Sequence, residues 1–217
     1  MTKIKPIYNT NEAFTKTEKT TENTNENNLK QTEIHDDTNH EFFISKDYKD
    51  FVKQFTKLEL NKQYTTVSFG NWSLKHVVFH ILSLTGKAEI FSTTYGLGPG
   101  AARGIVTGIK SGMISNFNFL YDNKIKTYKQ EAHNLCISNF PVKIASIHAK
   151  VTVILNENWG ITISGSANWS DSNNKIETIT ISTNKALALF HKDWIYKAMQ
   201  TKSANPEEIL KEINSKI

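Results

Sequence analysis

Between Lys150 and Ile181 three apolar, β-branched runs, KVTVIL, GITISG and IETITI, follow one another with only the turn-rich pieces NEN and NWSDSNN between them. Short runs of this kind, bounded by Asn, Gly, Ser and Asp, read as consecutive strands of one sheet. On a strand, side chains two apart share a face, so His148 and Lys150 are expected to point the same way. The turn GSAN would close the strand Ile161 to Ser164 with small residues. Small residues let backbone N–H groups, and here the Ser166 and Asn168 side chains, come close to a ligand. An imidazole, an ammonium, a hydroxyl and a carboxamide converging in one place suit a tetrahedral anion, and phosphate is the obvious one.

The remaining pattern predicts what surrounds these strands. SKDYKDFVKQFTKLEL reads as an amphipathic helix with Ser45 at its N-cap, and TTVSFGNW as a strand ending at Gly70. Leu74 to Leu84 is a helix capped by Ser73 and stopped at Gly86, KAEIFSTTYG a strand, and GPGAARGIVTGIKSG a helix opened by Pro99. SNFNFLYD is a strand, KTYKQEAHNLCISN a helix, and PVKIASI the strand that delivers His148. Asn184 caps a helix from Lys185 to Gln200, and a last helix runs from about Asn205 to Ser215. Strands alternating with helices predict an α/β fold, a mixed β-sheet flanked by helices on both faces.

The motif in the middle has a counterpart. HAK at 148–150, GSAN at 165–168 and Glu177, nine residues after Asn168, resemble the phospholipase D superfamily motif, H-x-K-x4-D-x6-G-S-x-x-N. Leu155 stands where that motif has its Asp, with Asn156 beside it, and the interval from Lys150 to Gly165 is a few residues longer. The motif's second Asn is matched loosely by Asn173 or Asn174. The resemblance implies a phospholipase D-like fold and a phosphodiesterase that needs neither metal nor cofactor. His148 would attack phosphorus and form a phosphohistidine, with a second His protonating the leaving oxygen. It further implies that Lys150, Ser166 and Asn168 hold the nonbridging oxygens and that Glu177 pairs with the imidazole and fixes its tautomer. None of the other histidines, at 35, 40, 76, 80, 133 and 191, is followed by Lys two positions on. With one motif per chain, the second imidazole is expected from an identical chain across a two-fold axis, in a homodimer.

Composition narrows the partners. Residues 1–40 are dominated by Thr and Asn, with Tyr8 and Phe14 the only aromatics, and are expected to form a disordered tail ahead of a phospholipase D-like α/β domain at 41–217. MTKIKPIYNT lacks the apolar run of a signal peptide, and VVFHILSL is too short to span a bilayer, so no membrane insertion is expected. The single Cys136 excludes a disulfide framework and fits a cytoplasmic protein. After residue 40 there are 21 basic and 14 acidic residues, an excess that suits a polyanion. Arg103 is the only arginine, so contacts to a nucleic acid should reach the backbone and carry no sequence preference. Nucleic acid, DNA or RNA, is therefore the expected substrate. A phospholipid-directed enzyme of the same chemistry and a catalytically silent phosphate or nucleic-acid binder are the alternatives.

Other features are weighed more lightly. His76 and His80 have the i, i+4 spacing of a shared metal, but Val77 stands where a metalloprotease has Glu; a helix-face and a half-buried His are expected, and no metal site is assigned. TTYGLGPGAARG is Gly-rich without the spacing of a phosphate loop; its helix N-terminus would lie beside the anion site or be a plain connection. Trp169, directly after Asn168, is the better candidate for a substrate-facing ring, and Trp72 for a stacking or core ring.

Overall fold

The computed structural model describes residues 39–70, 72–171 and 175–214. The expected tail up to residue 38 lies outside the described residues, as do Asn173 and Asn174. In chain order the elements are β1 (His40–Ser45), α1 (Tyr48–Gln54), β2 (Gln63–Ser68), α2 (Leu74–Thr85), β3 (Ala88–Thr94), α3 (Pro99–Lys110), β4 (Ile114–Asp122), α4 (Asn123–Tyr128), α5 (Gln130–Ile137), β5 (Val142–Ala145), β6 (Val151–Leu155), β7 (Gly160–Gly165), β8 (Glu177–Ser182), α6 (Lys185–Met199) and α7 (Pro206–Asn214).

The strands form one mixed sheet of order β1-β2-β8-β7-β6-β3-β4-β5. The three runs at its centre are neighbours, as their sequence requires: β6 pairs antiparallel with β7, and β7 with β8. Period-two alternation then divides the core between two faces. Ile90, Phe117, Phe119, Tyr121, Ile154, Ile161, Ile163, Ile179 and Ile181 point to one face, where α1, α2, α3 and α5 supply Phe51, Val78, Ile105 and Cys136. Phe91, Leu120, Val151 and Val153 point to the other, covered by Ala188, Ile195 and Ala198 of α6. Each fully buried Ile or Phe stabilises by about 1.5–3 kcal/mol, so the larger aromatic layer carries most of the fold.

Strand direction decides where chemistry can gather. β2, β3, β4 and β5 run toward one end of the sheet; β6 starts there, β7 returns to it and β8 departs from it. HAK, GSAN and Glu177 therefore share one end of the sheet. His148 is not on a strand: β5 stops at Ala145 on the sheet's edge, and residues 146–150 cross to the start of β6.

Three local expectations are corrected. β1 is an additional strand, parallel to β2. Ser45 ends that strand, buried against the Thr66 hydroxyl at 3.4 Å, and the α1 cap is Asp47, whose Oδ1 accepts from Asp50 N at 3.0 Å. The helix expected at 126–139 is broken at Lys129, whose φ of −135° and ψ of 51° leave the helical region and let α5 turn Ala132, His133 and Cys136 inward. The caps at Ser73 and Asn184 form as expected, the latter accepting from Leu187 N at 3.1 Å.

Candidate functional site

The linker that carries His148 and Lys150 is held on both sides. Asp122, buried at the end of β4, accepts from Ile147 N at 3.2 Å, and the Thr93 hydroxyl donates to Ala149 O at 3.0 Å while accepting from Val151 N at 3.1 Å. Between these clamps the His148 imidazole is exposed and Lys150 half-buried. The Lys150 ammonium donates to His148 O at 3.0 Å and reaches His148 Nδ1 at 3.5 Å. An ammonium only donates, so Nδ1 can meet it only as an acceptor.

The GSAN turn is built with equal economy of space. Gly165 has a φ of +154°, and a Cβ there would lie 2.0 Å from Thr178 O, so no other residue fits. Asn168 Oδ1 accepts from Gly96 N at 3.0 Å and from the Thr94 hydroxyl at 3.3 Å. That fixes which end of the amide is which, and leaves both Nδ2 protons without a partner among the described residues. Gly96 follows Tyr95, whose ring lies 4.7 Å from that of His148. One dipeptide thus joins the imidazole to the carboxamide. Lys150 borders a shallow depression with Gly165, Ala167 and Ile179, and the latter two also wall a cavity of about 10 Å³ lined by Asn168, Ser170, Glu177 and Trp72. His148 and Lys150 are thus in contact, and Asn168 stands at the same end of the sheet, linked to the imidazole through Tyr95 and Gly96.

Three other expected residues are placed differently. Glu177 accepts a hydrogen bond from the Ser166 hydroxyl, and no hydrogen bond joins it to His148 among the described residues. Ser166 gives its proton to that carboxylate and accepts from Thr178 N at 3.0 Å, so its hydroxyl fastens the turn to β8 instead of offering a donor to an anion. Trp169 does not face a substrate: it is 0 % exposed, packs edge-on against Phe117 and Phe119, and donates from Nε1 to the Ser92 hydroxyl at 2.7 Å. An indole beside a sheet of aromatics is worth more buried, provided its N–H is satisfied. Trp72 is also core, stacked on Phe51 at 4.8 Å.

Several solved structures are similar to this chain. The phospholipase D family member Nuc from Salmonella typhimurium is 18% identical, with a TM-score of 0.44 over 62% of this chain and 93% of that one. NucT from Helicobacter pylori is 17% identical, with a TM-score of 0.46 over 63% and 95%. TrmBL2, an archaeal chromatin protein, is 7% identical, with a TM-score of 0.46 over 72% and 60%. No family model matches the chain, and no curated protein matches it in sequence.

Asn156, beside the Leu155 that replaces the motif's Asp, does structural work of its own. Its Nδ2 donates to Thr85 O at 3.0 Å and Lys87 O at 3.3 Å, and its Oδ1 accepts from Asn158 N and Trp159 N at 3.0 and 2.8 Å. It ties the β6–β7 turn to the loop before β3. The alternating glycines of the 95–104 stretch also gain a reason. A Cβ on Gly98 or Gly100 would strike the Asp171 carboxylate at 2.6 or 2.3 Å, and Gly100 N donates to Asp171 Oδ2 at 3.3 Å. The N-terminus of α3 is thus capped by the chain's own carboxylate and is not offered to a ligand.

Tyr95 and Lys124 lie against His148 and Lys150 without belonging to the motif. Lys124 donates from Nζ to the Tyr95 hydroxyl, a contact that raises the lysine above its ordinary range. The available signals were a Tyr at the end of β3 and a Lys just after the end of β4, the same end of the sheet as HAK. The remaining described histidines are tied into the fold. His40 bonds Thr65, His76 accepts from Ser73 N, His80 bonds Phe55 O, His133 bonds the Tyr121 hydroxyl, and His191 accepts from Trp194 Nε1. Nor is there a helix long and apolar enough to cross a membrane among the described residues.

Proposed function

We propose that this chain is a metal-independent phosphodiesterase that cleaves DNA or RNA through a phosphohistidine on His148, acting in the cytoplasm as a homodimer. The observation that carries the reading is the gathering of an exposed imidazole, an ammonium and a carboxamide with two uncommitted protons at one end of the sheet. In the first step a phosphodiester draws Lys150 onto a nonbridging oxygen, and the freed ring nitrogen of His148 attacks phosphorus as the bond to the leaving oxygen breaks. That oxygen takes its proton from His148 of a second copy. In the second step water attacks phosphorus, gives a proton to the same second imidazole, and the P–N bond breaks. Lys150 and the Asn168 amide hold the oxygens where negative charge builds up, the kind of donor whose removal slows acyl transfer by about 10²–10³. Glu177 serves by fixing Ser166 and the turn.

Two chains are invoked because the other described histidines are already hydrogen-bonded elsewhere. The experiment is cleavage of single- and double-stranded DNA, RNA and bis(p-nitrophenyl) phosphate in EDTA, beside His148→Ala. The wild type should cleave and the variant should lose at least about 10³-fold, as nucleophile removal does. Equal activity in both proteins would refute the reading, and binding that weakens steeply with salt but produces no cleavage would leave a silent module. One observation favours phospholipid as a second reading. An apolar cleft of about 460 Å³, walled by Leu120, Ile147, Trp194, Ile209, Leu210 and Ile213, opens beside His148. Hydrolysis of phosphatidylcholine vesicles in preference to every nucleic acid would select it.

A further inference from the structure

The positive charge at the site exceeds what one phosphodiester needs. Lys150 Nζ lies 5.8 Å from the centroid of the Tyr95 ring and Lys124 Nζ 4.9 Å from it, so the two ammonium groups are within about 11 Å of one another, with the His148 ring against the same phenol. Neither lysine has an ion-pair partner among the described residues. The Asp122 carboxylate, at the end of β4 beside Lys124, is already occupied: Oδ1 accepts from Lys124 N at 3.0 Å and Oδ2 from Ile147 N at 3.2 Å. The same two bonds fix the root of Lys124 relative to the linker that carries His148. Two cations held near each other without a counterion repel, and an anion of matching spacing relieves this. A phosphodiester carries a single negative charge, which Lys150 answers. Lys124 is on a different element, and the Tyr95 hydroxyl, while accepting from it, keeps its own proton to donate.

We infer that Lys124 and Tyr95 form a subsite for the phosphate next to the scissile one, so that the preferred substrate is a chain of phosphodiesters, in which phosphates recur at about 3.4 Å of rise per nucleotide in a duplex strand, and not a lipid with a single phosphodiester. The inference rests on the proposed function for its register, and the test separates the two. Wild type and Lys124→Gln are compared on a dinucleotide with one phosphodiester, TpT, and a trinucleotide with two, TpTpT. The second phosphate should raise kcat/KM in the wild type, and Lys124→Gln should remove about five-fold of that advantage, the upper range for an exposed charge pair. Tyr95→Phe, which keeps the ring against His148, should act in the same direction. In parallel, binding of a single-stranded oligonucleotide to the His148→Ala protein is followed against salt. Adding Lys124→Gln should flatten the slope of log K by about 0.7, one phosphate's share. An equal advantage of TpTpT in both proteins, or an unchanged salt slope, overturns the subsite even if His148 proves to be the nucleophile. If no substrate is cleaved, the proposed function fails and the salt slope alone decides the subsite; absence of oligonucleotide binding overturns it.

Discussion

At Asn168 two roles separate cleanly, because Oδ1 is spent on Gly96 N and Thr94 while the Nδ2 protons have no partner among the described residues. Asn168→Asp retains an acceptor for Gly96 but replaces the donors with negative charge. It should fold and lose at least about 10²-fold in cleavage, in line with removal of an oxyanion donor. A fall of less than three-fold with unchanged melting would show that the amide does not touch the phosphoryl group. The motif residues His148, Lys150 and Asn168 were legible because their spacing is tied to strand ends. Trp169 was misread for a related reason: a turn residue is expected outside, but this one packs back onto the sheet against Phe117 and Phe119 of β4, where Ser92 satisfies its N–H. Nothing in the local sequence marks Ser92, 77 residues away, as that partner. For Glu177 the motif implied a bond to the imidazole, and within the chain its carboxylate accepts from Ser166, since a one-dimensional motif does not tell which of two neighbours a carboxylate will accept from.

The elements differ in how strongly their pattern declared them. β6, β7 and β8 alternate over a buried face and were legible, as were α2, α3 and α6, whose starts are marked by Ser73, Pro99 and Asn184. β1 was not, because it is an edge strand that is half-buried along most of its length and carries little alternation. The break at Lys129 is a single non-helical residue inside a continuous helical pattern, where tertiary packing overrides propensity. The cap of α2 brings a pH dependence. Burial, aided by the charge of Lys75, holds His76 below its ordinary value, and its Nδ1 accepts from Ser73 N at 3.0 Å. Burial lowers His133 and His191 in the same way. A histidine whose pKa is depressed in the fold takes up its proton more readily when unfolded, so its contribution is complete above about 6.5, the ordinary value, and is lost as pH falls below it. The melting temperature should hold steady from pH 8 to 7 and decline between pH 6.5 and 5, with His76→Gln reducing the slope. A flat profile through that range would contradict neutral, hydrogen-bonded imidazoles at these three positions.

For the whole molecule, the sheet order makes one end a collecting point, and His148 is the exposed imidazole that the described residues bring to it. If two copies share the reaction, mixing His148→Ala with wild type and allowing exchange should depress activity below the value expected from dilution, because each mixed pair lacks a nucleophile or an acid. Activity that follows dilution linearly, from a species that sediments as a monomer, would mean that each chain works alone. The charge excess, the two lysines around Tyr95 and the lone arginine together fit a partner recognised by its backbone. The apolar cleft beside His148 favours a lipid instead, and the vesicle assay decides between the two. The central claim is that phosphorus passes through a bond to His148, and the most direct test is stereochemical: cleavage of a dinucleotide phosphorothioate of single configuration in ¹⁸O-labelled water. Two successive in-line displacements predict retention of configuration at phosphorus; inversion would mean that water attacks directly and that no phosphohistidine forms.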